Sequence, residues 1–453
     1  MKIIYGLKSG ALLQRDENDV CQCYFKAEVN GELTSSLGEI IQNEGGMYAL
    51  TGIPVGGPYT VTLSDNDSKI ELTDIYVGDL WLLGGQSNME GAGKWREEQM
   101  AYDANPVQSI RAYYMNESWD AAKTQLHQLW ESADEYINSY YRKSRMDEWG
   151  DEYPEVQRDG VGPGLYFAQE MQKRMNGVPQ GVIPCGIGGA SLGQWDSQGT
   201  DNFYTAAIRR VHACGGNVKG VFWYQGCSQC WWGGCETFVS DMQNLVNGFR
   251  RDCKKENLPF VQVQINKYRA VSKEADGPWT KIRDLQRTLE QHIPNLATVY
   301  SNDCELDDLI HLASESHVRI GKRAAEQMTR LLTGEGVPSP EVDYCEIIED
   351  PYTPWRVNLV IHYKNIVGKL EALGVPSGYF LLEAEDGEPI REIARVWLNE
   401  KSVRLVQEIP KEKLEECYVC YGYGNTFYCN ITDSEDRSLP GFGPLKIKDY
   451  LKK

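Results

Sequence analysis

Five short apolar runs alternate with segments of helical period between residues 74 and 333. The runs are DIYVGDLWLL (74–83), GVIPCGI (181–187), GVFWYQG (220–226), PFVQVQI (259–265) and LATVYS (296–301). Each has the length and composition of a strand. The intervening segments place apolar residues three and four apart: Leu165, Ala168, Met171 and Met175; Phe238, Met242, Leu245 and Phe249; Trp279, Ile282, Leu285 and Leu289; Ile320, Ala324, Met328 and Leu331. That spacing puts each set on one helical face. Strand–helix alternation implies right-handed crossovers and a parallel sheet with helices on both faces. In such sheets the site lies beyond the carboxyl ends of the strands.

The flanks read differently. Residues 1–73 carry short alternating runs such as YTVTL (59–63) and KIEL (69–72), separated by turn residues, with a turn cluster at GIPVGGPY (52–59). After about residue 335 the runs NLVIHY (358–363), SGYFLLEA (377–384), ARVWLNEKSVRLV (394–406) and CYVCYGYG (417–424) again suggest strands. The expected organisation is a β-rich N-terminal domain over 1–73, a catalytic α/β domain over 74–335 and an all-β domain over 336–453. At 453 residues the chain is long enough for two or three such domains. Residues 104–160, polar and aromatic-rich without clear period, read as a surface excursion bordering the site.

Charge narrows the partners. With 46 basic and 65 acidic residues the formal charge is −19, and no Lys/Arg block stands out, so nucleic acid is not an expected partner. No stretch approaches the roughly 20 apolar residues of a membrane span, and no membrane partner is expected. The apolar run at the N-terminus is too short and broken for a signal peptide, so a cytoplasmic location is the expectation. The 13 cysteines are scattered, which fits reduced thiols better than a disulfide framework.

Four stretches at predicted strand ends carry chemistry. In GGQSNMEG (84–91) two glycines allow a sharp turn, and Ser87 sits where first-turn N–H groups lie outside a helical ladder. Ser87 is the candidate nucleophile, although an N-cap serine has the same sequence signature. In DLIHL (308–312) a carboxylate stands three residues before an imidazole, so Asp308 is placed to orient His311 as a base. Asp307 is the rival carboxylate, and His317, on the following helix, reads as structural. In GIGGASLGQW (186–195) Gly189 is a candidate oxyanion donor, and Trp195 is either a sugar platform or core. In FWYQGCSQCWWGGC (222–235) Gln225 is a second oxyanion candidate or a satisfied core amide; Trp231 and Trp232 are candidate sugar-stacking residues.

GQSNM, the glycine turn at 186–189, WYQG and D-x-x-HL, in this order, resemble the sialic-acid-specific acetylesterase and acetylxylan esterase group of SGNH hydrolases. IGKRAA (320–325) adds to the likeness, and GGPYTVTL, RVWLNEKSVRL and YGYGN through GFGP resemble the flanks of sialate O-acetylesterases. The resemblance implies an α/β fold: a flavodoxin-like three-layer core with a parallel sheet, flanked by N- and C-terminal β-rich domains. It also implies a metal-free, cofactor-free serine esterase, sialate 9-O-acetylesterase-like, whose partner is an acetylated sugar or glycan. Carried over by position, Ser87 is the nucleophile, Asp308 the orienting acid and His311 the base. The oxyanion donors are the N–H groups of Ser87 and Gly189 and the Gln225 side chain. The alternatives are an acetylxylan or other plant-glycan acetylesterase, a carbohydrate-binding protein without catalysis, and a lipase or thioesterase on the same core.

The chain departs from the pattern at two places. Cys227 and Gln229 stand where the group usually has Glu and Asn after WYQG, and Gly188–Ser191 reads GG-Ala-Ser in place of GG-Thr. Ser191 is a candidate to supply the missing hydroxyl. Cys227 and Cys230, like Cys417 and Cys420, have C-x-x-C spacing, which suits zinc or redox chemistry as well as buried thiols.

Overall fold

The computed structural model describes residues 1–143, 159–231, 233–269, 276–350, 353–387, 389–390 and 393–452. The chain forms two compact units, one of Met1–Gln225 with Ser240–Phe260, the other of Gly226–Val239 with Val261–Lys453. Mixed sheets and helices build both, an α/β architecture.

In the first unit the strand Lys69–Gly85 is central. Its first half alternates and pairs antiparallel with Gly56–Ser64; its second half is buried on both faces, as a strand inside a parallel sheet must be. The boundary expected after residue 73 therefore falls inside one continuous strand. Gln180–Pro184 flanks it on one side and Gly220–Tyr224 on the other, both parallel to it. Ile110–Tyr113 extends the sheet beyond Gln180–Pro184, also parallel. The registers Pro184↔Leu83 and Tyr224↔Gly85 bring the carboxyl ends of three strands level.

Ile110–Tyr113 corrects the reading of 104–160 as a surface excursion, because these four residues are a buried sheet strand. Arg111 hid it: a charged residue in so short a run removes the apolar signal. Its Nε donates to Gly10 O at 2.9 Å, and the guanidinium lies over the Tyr76 ring. Residues 144–158 of that stretch lie outside the described residues. The buried carboxylate of Asp79, in the central strand, is likewise paired, with Arg15 donating to both of its oxygens at 2.9 and 2.7 Å.

The strand Phe260–Gln264, in the second unit from Val261 on, neighbours Leu296–Tyr300, and the helices Asp276–Thr288 and Ser314–Thr333 follow them in sequence. Two antiparallel four-stranded sheets follow, one holding Glu341–Asp350, Thr353–Lys364, Ser402–Gln407 and Ile393–Leu398, the other centred on Tyr379–Leu382 and Tyr418–Tyr421. Leu359, Ile361, Leu381, Val403, Leu405 and Val419 from both sheets share one core with Ile431 of the two-stranded sheet of Leu370–Ala372 and Ile431–Asp433. The predicted helical faces are buried at Leu165, Ala168, Met171, Phe238, Met242, Leu245, Phe249, Trp279, Ile282, Leu289, Ile320, Ala324 and Met328. Met175, Leu285 and Leu331 are half-buried. Among the described residues no helix is long and apolar enough to cross a membrane.

Candidate active site

Ser87 opens the helical turn Ser87–Glu90 directly after the central strand of the first unit. Gly85 makes the turn possible: its φ is +137°, and a Cβ there would lie 2.2 Å from Tyr224 O. The next peptide is pinned, with Gln86 N donating to Tyr224 O at 2.9 Å and Ile187 N donating to Gly85 O at 3.1 Å. Three strand ends are thus tied together, and Ser87, the 187–190 turn and Gln225 belong to adjoining strand exits. Gln225 is buried, and its amide donates to Ala190 O at 3.3 Å, which ties the third exit to the second.

Gly189 adopts a left-handed φ of +74°, and among the described residues a Cβ built on it would meet Tyr140 Oη at an ordinary contact distance of 3.6 Å. Two side chains that sequence reasoning missed fix this turn. Glu90 Oε2 accepts from Gly188 N at 2.5 Å, and Tyr140 Oη donates to Gly188 O at 3.2 Å. The Gly188 carbonyl and the Gly189 N–H share one planar peptide, so holding the first sets the direction of the second. Glu90 lies in the GGQSNMEG stretch, three residues after Ser87, but nothing in the sequence tells what it touches.

In the second unit Asp308 and His311 lie on a tight loop. Its base is closed by a Leu306–Leu312 bridge, with Asp307 N donating to His311 O at 2.9 Å and Ala313 N to Glu305 O at 2.9 Å. Asp308 Oδ1 accepts from the Ile310 and His311 N–H groups, both at 2.7 Å, and Oδ2 meets His311 Nδ1 at 2.6 Å. Burial works to raise the Asp308 carboxyl, but the His311 ring and the two backbone N–H groups outweigh it and hold it at about 2. A carboxylate that stays ionised this far down fixes the orientation of the imidazole. His317 is fully buried, and burial followed by the nearby His311 lowers it to about 3, so it is a neutral core imidazole.

Trp195 is only 1% exposed and packs edge-on against Trp223 at 5.0 Å. An indole with no open face cannot stack on a sugar, so the platform reading of Trp195 gives way to core. Trp231 is 36% exposed and is backed by Tyr268 and Trp279; Trp232 lies outside the described residues. The Ser191 hydroxyl is 3.3 Å from Gln194 Oε1, in a local cap. All 13 cysteines are free thiols. Burial pushes Cys227 up to about 12 and Cys230 well above its ordinary value, which disfavours the thiolate that metal or redox chemistry uses. Among the described residues no group of three or more His, Cys, Asp or Glu side chains is placed to hold a metal ion.

Residues 77–330, more than half of the chain and spanning both clusters, match the model of the family described as carbohydrate esterase, sialic acid-specific acetylesterase. The chain belongs to that family. It is therefore an esterase. Among curated proteins it is 25% identical over 289 residues to a probable carbohydrate esterase of Arabidopsis thaliana, covering 59% of this chain and 96% of the relative. It is 22% identical over 347 residues to the sialate O-acetylesterase of Homo sapiens, covering 65% of this chain and 63% of that protein's length. Among solved structures, a carbohydrate acetylesterase from Xanthomonas citri superposes with a TM-score of 0.73 at 19% identity, covering 97% of this chain and 99% of the other, which shows a shared fold.

Proposed function

We propose that this esterase removes acetyl groups from sugar hydroxyls by a two-step acyl transfer through Ser87, His311 and Asp308. His311 takes the Ser87 proton, and Oγ attacks the acetyl carbonyl. The oxyanion is met by the Ser87 and Gly189 N–H groups and by the Gln225 amide. His311 returns the proton to the departing sugar hydroxyl. It then activates water, whose attack on the acetyl-enzyme releases acetate and frees Ser87.

One observation carries this reading: Asp308 grips His311 Nδ1 at 2.6 Å on a loop whose backbone also holds the carboxylate. That is what an imidazole needs to act as a positioned base. The pinned Gly188–Gly189 peptide supports the oxyanion roles. The level ends of parallel strands support a flavodoxin-like three-layer SGNH core within about 74–335, with β-rich segments on either side. Trp231, 36% exposed, is an aromatic residue suited to stack on the sugar.

The family description favours acetylated sialic acid as the substrate. A neutral acetylated glycan is the second reading, favoured by a chain charge of −19, which repels an anionic sugar. Acetate release from acetylated sialosides, xylo-oligosaccharides and mannans, with wild type and Ser87→Ala, tests both. Turnover on at least one panel member, lost in Ser87→Ala, is expected; undiminished turnover by Ser87→Ala overturns the mechanism.

A further inference from the structure

The first unit contains a cleft of about 260 Å³ that none of the roles above uses. Trp95, Asp103, Tyr114, Asp120, Lys123 and Gln125 line it. Trp95 lies eight residues after Ser87, just beyond the short strand Gly93–Lys94 that leaves the nucleophile turn. That strand pairs with Asp159–Val161, and Gln125 bridges to Val161, so two walls of the cleft are tied to the segment that carries Ser87.

The cleft is rigid. The Tyr114 hydroxyl donates to Ala121 O and accepts from Lys123 N, both at 3.0 Å. Asp103 Oδ1 accepts the Thr124 N–H at 2.8 Å and the Thr124 hydroxyl at 2.9 Å. Asp120 Oδ1 accepts the Ala121 N–H at 2.7 Å. The second oxygen of each carboxylate makes no hydrogen bond to a described residue, and Lys123 forms no ion pair with one. Aromatic rings, carboxylate acceptors, an amide and an ammonium therefore converge on one preformed space.

That set suits a hydroxylated ring. Each sugar hydroxyl both donates and accepts, and the C–H faces of a pyranose are apolar enough to lie on an aromatic ring. The volume is below the about 300–1,000 Å³ of drug-sized pockets, so it holds a single ring. Two carboxylates against one ammonium repel a second anion, so the ring is uncharged.

We infer that this cleft is a subsite for a neutral sugar residue of the acetylated glycan. The inference rests on the proposal that the substrate is a glycan, and it narrows that substrate towards neutral chains. Calorimetric titration of the wild-type enzyme with unacetylated xylotetraose and mannotetraose, with a sialyl-oligosaccharide alongside, reads binding without turnover. Hydrolysis of a small chromogenic acetate reads esterase chemistry separately. At least one neutral glycan binds, Trp95→Ala weakens it about tenfold, and Asp120→Asn weakens it less, while small-acetate kcat/KM stays at the wild-type value. Three results overturn the inference: no neutral glycan binding, wild-type glycan affinity in both folded variants, or tighter binding of the sialyl-oligosaccharide through Trp95. Loss of small-acetate activity in wild type would instead strike the esterase proposal.

Discussion

Replacing Glu90 should slow turnover without weakening substrate binding. The Glu90 carboxylate is nearly buried and accepts from Gly188 N at 2.5 Å, one residue before the proposed oxyanion donor. A hydrogen bond to a charged group contributes about 1.5–3 kcal/mol, and a neutral one about 0.5–1.5 kcal/mol. Glu90→Gln keeps the shape and an accepting oxygen, so it forfeits about 1 kcal/mol, or roughly fivefold in rate if the whole loss reaches the Gly189 N–H. Glu90→Ala leaves a buried N–H without this acceptor, at about 1–3 kcal/mol. The ceiling is the about 10²–10³-fold in kcat that removal of one oxyanion donor costs. The expected series in kcat is wild type, Gln about fivefold lower and Ala about 10–100-fold lower, with KM little changed. Steady-state kinetics on a chromogenic acetate gives kcat and KM, and a thermal melt shows that each variant is folded. A folded Glu90→Ala with wild-type kcat, or with the whole defect in KM, would refute the claim that Glu90 positions the oxyanion turn.

Other perturbations separate catalysis from packing. Asp308→Asn should lower kcat by about 10³–10⁴-fold, because the amide leaves the imidazole in the wrong tautomer; a loss under tenfold contradicts the pairing. Since the folded-state Asp308 carboxyl lies below its ordinary value of 3.8, its contribution to stability is present above that pH and is lost as pH falls towards about 2. The difference in denaturation midpoint between wild type and Asp308→Asn should therefore shrink over that range; a difference that grows on acidification contradicts the assignment. Trp195→Ala should cost about 3–5 kcal/mol of stability, as buried aromatic truncations do, and a variant with a wild-type melt and a raised KM for glycans would restore the platform reading. Gly85→Ala forces a Cβ to within 2.2 Å of Tyr224 O at a φ of +137°, so a fall in melting temperature or in soluble yield is expected; a wild-type melt would show that the turn is less tight than described.

The candidate site was legible in the sequence where chemistry and local geometry coincide. GGQSN reads as a strand-to-helix turn because Gly85 makes a backbone approach that a side chain would block. Asp308 and His311 read as a pair because three residues on a tight turn bring a carboxylate to an imidazole nitrogen. Other features depend on partners far along the chain. Glu90 and Tyr140 meet the Gly188 peptide across 98 and 48 residues, and no spacing announces that. Arg111 hides a sheet strand because the carbonyl that accepts from it belongs to Gly10. The strand Lys69–Gly85 changes from alternating to continuous burial partway along, so its own pattern mimics a domain boundary. Trp195 was ambiguous because a sequence cannot show whether an indole near a strand end faces outwards or inwards.

Rapid-quench mass spectrometry of the enzyme mixed with an activated acetate ester bears most directly on the proposed nucleophile. An acetyl group should accumulate on the peptide carrying Ser87 before steady state, and both Ser87→Ala and His311→Ala should abolish it. An acetyl adduct on a different residue, or undiminished acetate release with no adduct at any time, would contradict the acyl-enzyme route.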